Sequence, residues 1–149
     1  MQNLFFDTSA LVKRYYEEPG TEFVDSLVTD DDTKVVLTSI AVVETVSAFR
    51  RKYNREDIGD DVLDELLASF FDEALSDFLI LPTEESLLVN SFELVLDDDL
   101  RTLDSLQLSA ALSVSENVEE LVFVSADKEL VSLAENKGLQ TQNPDEAEN

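Results

Sequence analysis

The 149 residues contain no cysteine and no histidine. The first absence excludes disulfides and thiolate chemistry; the second removes imidazole bases, imidazole ligands and zinc sites built from Cys and His. Any acid-base or metal chemistry therefore falls to carboxylates. No stretch approaches the roughly 18 apolar residues of a membrane span. The N-terminus also lacks a basic segment leading into a long apolar run, so the expected location is cytoplasmic. Linkers are missing too: no Pro-, Gly- or Ser-rich stretch divides the chain. Residues 1–143 are expected to form one domain, with 144–149 a short acidic C-terminal tail.

Positive charge is scarce. Ten basic residues face 34 acidic ones, for a net charge of -24, and nucleic-acid binders normally present a basic face to phosphates. Runs such as Thr29 to Thr33 and Asp97 to Asp99 read most simply as solvated surface. Self-repulsion of this size is relieved by concentrated salt, where screening shortens to about 3 Å at 1 M. The charge thus points to a high-salt cytoplasm and describes the solvent more than the partner.

What is present is a 44% hydrophobic chain in which short apolar runs alternate with helical periodicity. Strands are expected at Leu4 to Asp7, Val35 to Thr38, Phe78 to Leu81, Leu121 to Val124 and, weakly, Leu139 to Gln142. Between them the spacing predicts helices over Thr8 to Glu18, Gly20 to Thr29, Ser39 to Tyr53, Asp57 to Asp77, Thr83 to Leu96, Leu100 to Val114 and Ser125 to Lys137. Gly138 is placed to stop the last of these. The alternation implies an α/β fold with a mostly parallel sheet covered on both sides, and such sheets bind ligands beyond the carboxyl ends of their strands.

With so many acids, the informative ones stand where a carboxylate is out of place. Asp7 follows LFF, Glu44 interrupts IAVVETVSAF, Asp104 lies in LRTLDSLQLSAAL, and Asp127 follows LVFVSA. Each has a structural explanation. Asp7 and Asp127 could cap the helices they precede; Glu44 could be salt-bridged or exposed; Asp104 could pair with Arg101 across one turn. Converging carboxylates, however, resist ionising together unless a cation compensates them. Oxygen-only ligands select hard ions, Mg2+ or Mn2+, one or two of them, and suit hydrolysis by metal-activated water. The expected ligands are Asp7, Asp104 and Asp127, with Glu44 coordinating or holding a bound water. Thr8, Ser9, Ser39 and Ser125 adjoin these acids as polar support or as helix caps. Lys13, Arg14, Arg50, Arg51, Lys52, Arg55 and Arg101 follow the first three acids closely enough to flank a cleft as phosphate contacts.

The motifs FFDTSALVKRY, TSIAVVETVSAF, LRTLDSLQLSAAL and FVSADKELVSLAENKGL, closed by Asn143-Pro144, together resemble the PIN-domain ribonucleases, especially the VapC-type toxins of toxin-antitoxin pairs. The resemblance spans nearly the whole chain and selects the same four acids, with Thr8 and Ser125 at support positions. It implies a three-layer α/β/α sandwich with a five-stranded sheet in the order 3-2-1-4-5. It also implies Mg2+- or Mn2+-dependent cleavage of structured RNA, homodimerisation, and inhibition by a cognate VapB-type antitoxin. Gln107 departs from the histidine common in related sequences three residues after the third acid, and keeps a hydrogen-bonding side chain without a titratable group. Combined with the acidity, the resemblance points to a halophilic archaeal source. Competing functions are an inactive PIN-like binding or scaffold module, and a DNA-directed nuclease or phosphatase.

Overall fold

The computed structural model of the protein describes residues 1–147. Its centre is a five-stranded sheet of β1 (Gln2–Phe6), β2 (Thr33–Thr38), β3 (Leu79–Leu81), β4 (Leu121–Val124) and β5 (Gln140–Gln142). Every neighbouring pair is parallel and the order is β3-β2-β1-β4-β5, the order that the family resemblance implies. Around it lie α1 (Thr8–Leu11), α2 (Thr21–Val28), α3 (Ser39–Asn54), α4 (Asp60–Asp77), α5 (Glu85–Asp98), α6 (Thr102–Ser115), α7 (Lys128–Asn136) and α8 (Pro144–Ala147).

The near-continuous apolar strands follow from burial on both faces, as parallel sheets require. Leu4, Phe6, Val35, Leu37, Val122 and Val124 point into one core with Phe49 of α3 and Leu66 and Phe70 of α4. Phe5, Val36, Leu121 and Phe123 point into the other, against Leu87 and Leu94 of α5, Leu108 of α6 and Leu130 of α7. Thus all three apolar residues before Asp7 are buried. Tyr15, Phe49 and Phe70 meet edge to face at centroid distances of 5.3 to 6.3 Å, while Phe5 stacks on Phe123 at 6.0 Å. Emptying the Phe6 position with alanine would cost about 3–5 kcal/mol.

Two local expectations give way to tertiary contacts. The helix expected over Thr8 to Glu18 ends at Leu11, followed by one 3-10 turn over Val12–Arg14. The carbonyl of Lys13 accepts instead from the Thr21 hydroxyl at 2.8 Å. The expected tail is helical at Pro144–Ala147. Asp145 pairs with the buried Lys13 at 2.9 Å, and Pro144 lies so close to Gly20 that an added Cβ there would sit 3.0 Å from the proline ring. Residues 148–149 lie outside the described part. Among the described residues no helix is long and apolar enough to cross a membrane.

Candidate active site

β1 is the switch point of the sheet: the chain leaves it toward β2 and β3 on one side, then returns to β4 and β5 on the other. Such a point leaves a crevice beyond the strand ends. Phe6 is in register with Val124, and the Asp7 amide donates to the Val124 carbonyl at 2.9 Å, so Asp7 and the Ser125–Asp127 segment emerge side by side. Glu44 comes from the first turns of α3 and Asp104 from the first turn of α6.

Asp7 occupies the N-cap position of α1 but makes no side-chain cap bond. Its Oδ2 accepts from Ser9 Oγ at 2.7 Å and Ser125 Oγ at 2.9 Å. Burial raises its pKa, opposed by these two hydroxyls, with the Asp127 charge adding to the rise. Asp127 does cap its helix: Oδ1 accepts from the amides of Glu129 and Leu130 at 3.0 and 3.1 Å. The cap explanation therefore holds for one strand-end acid and fails for the other. Ser9 and Ser125 tie the two together, because Ser9 Oγ also accepts from the Ala126 amide and Ser125 Oγ from the Asp127 amide.

Glu44 Oε1 is held from two sides, by Thr8 Oγ1 at 3.2 Å and Gln107 Nε2 at 3.0 Å. Gln107 is fully buried, and its Oε1 accepts from Thr38 Oγ1 at 3.0 Å. Thr38 Oγ1 in turn accepts from the Ala41 amide and caps α3. With its oxygen and nitrogen both engaged, the Gln107 amide is satisfied in one orientation. Burial raises the pKa of Glu44; the Gln107 and Thr8 bonds lower it and the Asp7 charge raises it further. The carboxyl of Asp104 is pushed up to about 6, first by burial and then by the charges of Asp7, Asp127 and Glu44, with Arg101 opposing. Each of the four acids is thus coupled to at least two of the others, and none makes an ion pair among the described residues.

The donor set fits a hard divalent cation in kind: it consists of oxygens, it is negatively charged, and none of its acids is ion-paired among the described residues. Among the described residues no three acids stand as a ready-made coordination cage. Crowded carboxylates without a counter-ion separate or take up protons, and a cation between them reverses both tendencies.

Other expected site residues separate sharply. Ser39 does not cap α3; Thr38 does, and Ser39 bonds Thr83 at 3.0 Å. Lys13 does not flank the cleft: it is buried against Glu18, Asp145 and the Pro19 carbonyl. Arg14 points away to Asp25 and Glu73, both at 2.8 Å, and Lys52 lies over the Tyr16 ring near Glu18. Arg50 rests on Tyr53 and Arg55 pairs with Asp57. Arg51 and Arg101 remain near the acids. Sequence reasoning missed Thr38 altogether; the signal available was a hydroxyl at the end of the second apolar strand, next to the Ser39 that drew the assignment.

The family model of the PIN domain matches residues 4–136. No curated protein matches the sequence. Among solved structures, PAE2754 from Pyrobaculum aerophilum is 20% identical with a TM-score of 0.64, over 94% of this chain and 83% of that one. VapC20 of Mycobacterium tuberculosis, described as a sarcin-ricin loop cleaving toxin, is 13% identical with a TM-score of 0.65, over 87% and 94%. VapBC2 from Rickettsia felis, solved bound to a DNA fragment from their promoter, is 16% identical with a TM-score of 0.63, over 95% and 98%. At these identities the structural likeness is one of fold.

Proposed function

The chain belongs to the PIN-domain family, and on that premise we propose that it is a divalent-metal-dependent endoribonuclease, the toxin of a toxin-antitoxin pair. The observation that carries the reading is the electrostatic coupling of Asp7, Glu44, Asp104 and Asp127 around the switch point, none of them ion-paired among the described residues. Asp7, Asp104 and Asp127 would hold one or two ions, Mg2+ or Mn2+, with Glu44 as a further ligand or support. When bound, such an ion supplies Lewis acidity toward a phosphate oxygen and makes water acidic enough to serve as nucleophile.

The rest falls to this chain's own residues. Ser9 and Ser125 fix the Asp7 carboxylate by its Oδ2 and favour its ionised form against burial. Gln107 and Thr8 do the same for Glu44 from opposite sides. Asp127 has one oxygen committed to the α7 amides, which aims the whole carboxylate rigidly. Burial and the charges of Asp7, Asp127 and Glu44 push the Asp104 carboxyl up to about 6, so in the absence of a cation it takes up a proton as the pH falls toward that value.

RNA is the preferred substrate because of the motif resemblance and because a neighbour of the same fold is described as cleaving the sarcin-ricin loop. The complexes among the neighbours favour a VapB-type antitoxin partner. Self-association is favoured by a stripe on α5 of Leu88, Val89, Phe92, Val95 and Leu96, exposed at 40 to 81%. The stripe carries no charge in a chain of net charge -24, so two copies can meet there with least repulsion. The setting proposed is a salt-rich cytoplasm.

The test compares a structured RNA, matched DNA and a small phosphate ester, each with Mg2+ or Mn2+ and with chelator. Metal-dependent RNA cleavage lost in Asp7→Asn is expected; activity only on DNA or the ester would reassign the substrate. An inactive PIN-like module is the competing reading, favoured by the lack of a preformed cage, and equal metal affinity of the parent and Asp7→Asn would support it.

A further inference from the structure

A chain of net charge -24 repels RNA at long range, so whatever holds a phosphate backbone must act locally. At about 0.1 M salt the screening length is about 10 Å. Distant acidic surface then fades, and cations lying beside the acids dominate what a bound strand experiences. Of the seven basic residues that the sequence places near the site, five are engaged elsewhere, four with carboxylates and Arg50 on an aromatic ring.

Arg51 and Arg101 differ from these. Neither makes an ion pair among the described residues, and both are exposed. Arg51 follows Glu44 by seven residues on α3, two turns along the same face and roughly 10.5 Å along the axis. Its Nη1 donates to Ser47 Oγ at 2.8 Å, and Ser47 stands between the two on that face, so the guanidinium is drawn back along the row toward Glu44. Its charge favours the ionised form of Glu44. Arg101 stands at the N-cap of α6 in extended conformation, three residues before Asp104, and its charge favours ionised Asp104. The two arginines therefore lie beside different acids, on different helices.

We propose that Arg51 and Arg101 form a phosphate clamp that holds the RNA backbone on the two sides of the scissile bond, one beyond Glu44 and one ahead of Asp104. The clamp rests on the nuclease reading above. It assigns the two residues to substrate binding: each contact is made equally to bound RNA and to the reacting complex, so loss should appear in KM more than in kcat. Guanidinium suits the task, since it stays charged and presents a fork to phosphate oxygens.

The experiment measures binding of a fluorescein-labelled 20-nucleotide RNA of mixed sequence by the full chain carrying Asp104→Asn, from 0.15 to 1 M KCl. Arg51→Gln, Arg101→Gln, Arg51→Lys and, as a control, Arg55→Gln are compared in that background, and steady-state cleavage is measured in the otherwise native chain. Each glutamine variant is expected to weaken binding about 5- to 10-fold at the lowest salt. Each should also reduce the slope of log affinity against log salt by about 0.7, the contribution of one single-strand phosphate contact. In cleavage, KM should rise with kcat within about 2-fold. Arg51→Lys keeps the slope and Arg55→Gln changes neither quantity. Binding of RNA by the parent with unchanged affinity and slope in both glutamine variants overturns the clamp and leaves the nuclease reading standing. Failure of the parent to bind RNA, together with no cleavage by the native chain, overturns both.

Discussion

Replacing Asp104 by asparagine keeps the shape of the side chain and removes the charge that its surroundings resist. The carboxyl lies at about 6 instead of 3.8, a difference of about 2 units, nominally about 3 kcal/mol at 1.36 kcal/mol per unit. The side chain is only partly buried, and solvent screening reduces this to about 1–1.5 kcal/mol. The sign follows from linkage. Below pH 3.8 both folded and unfolded chains hold the proton and nothing is lost. Between about 4 and 6 the folded chain keeps a proton that the unfolded chain has released, so wild-type stability falls as the pH rises. Above about 6 both are ionised and the full penalty applies. In chelator, Asp104→Asn should therefore be more stable than wild type by about 1–1.5 kcal/mol at pH 7.5, with a smaller gap at pH 5. At an m-value of roughly 1.5–2 kcal/mol/M this moves the urea midpoint up by about 0.5–1 M. Added Mn2+ should reverse the ranking, since an ion at 100 times its Kd stabilises wild type by about 2.7 kcal/mol and the variant has lost a ligand. Parallel curves for the two proteins at every pH, with equal Mn2+ shifts, would refute the idea that Asp104 sits among uncompensated charges.

Ser125→Ala removes a donor from Asp7 Oδ2 and an acceptor from the Asp127 amide. The Asp7 pKa should rise further, shifting the acid limb of the cleavage-pH profile to higher pH, and an unshifted limb would count against the role given to the hydroxyl. Gln107→Leu leaves the Thr38 hydroxyl and Glu44 Oε1 each short of a buried partner. Denaturation should show a loss of about 1–3 kcal/mol, with cleavage reduced beyond the fall in folded fraction. Because self-repulsion accompanies a net charge of -24, the thermal midpoint should climb as KCl rises from 0.1 to 2 M; a flat response would remove the case for a salt-rich setting.

Much of this was legible because a carboxylate inside an apolar run is hard to explain otherwise. LFF before Asp7 and LVFV before Ser125 mark buried parallel strands, and strand ends in such sheets share one rim. The same reading could not say which strand-end acid caps its helix. Asp127 bonds two amides of α7 while Asp7 turns to Ser9 and Ser125, a choice set by contacts across more than 110 residues. Capping slipped by one residue at Thr38-Ser39 because both side chains are hydroxyls and only their burial differs. The basic residues were the least legible. Nearness in sequence to Asp7 says nothing of where a cation ends, and Lys13 finds Asp145, 132 positions away, turning an expected tail into a docked helical turn.

The central claim, that four carboxylates at the switch point cut RNA, is tested most directly by sequencing RNA 5' and 3' termini after controlled expression of wild type and Asp104→Asn in native salt. The account predicts a discrete set of new ends in the wild type that is missing from the variant at equal protein level. The same ends from both proteins would contradict it.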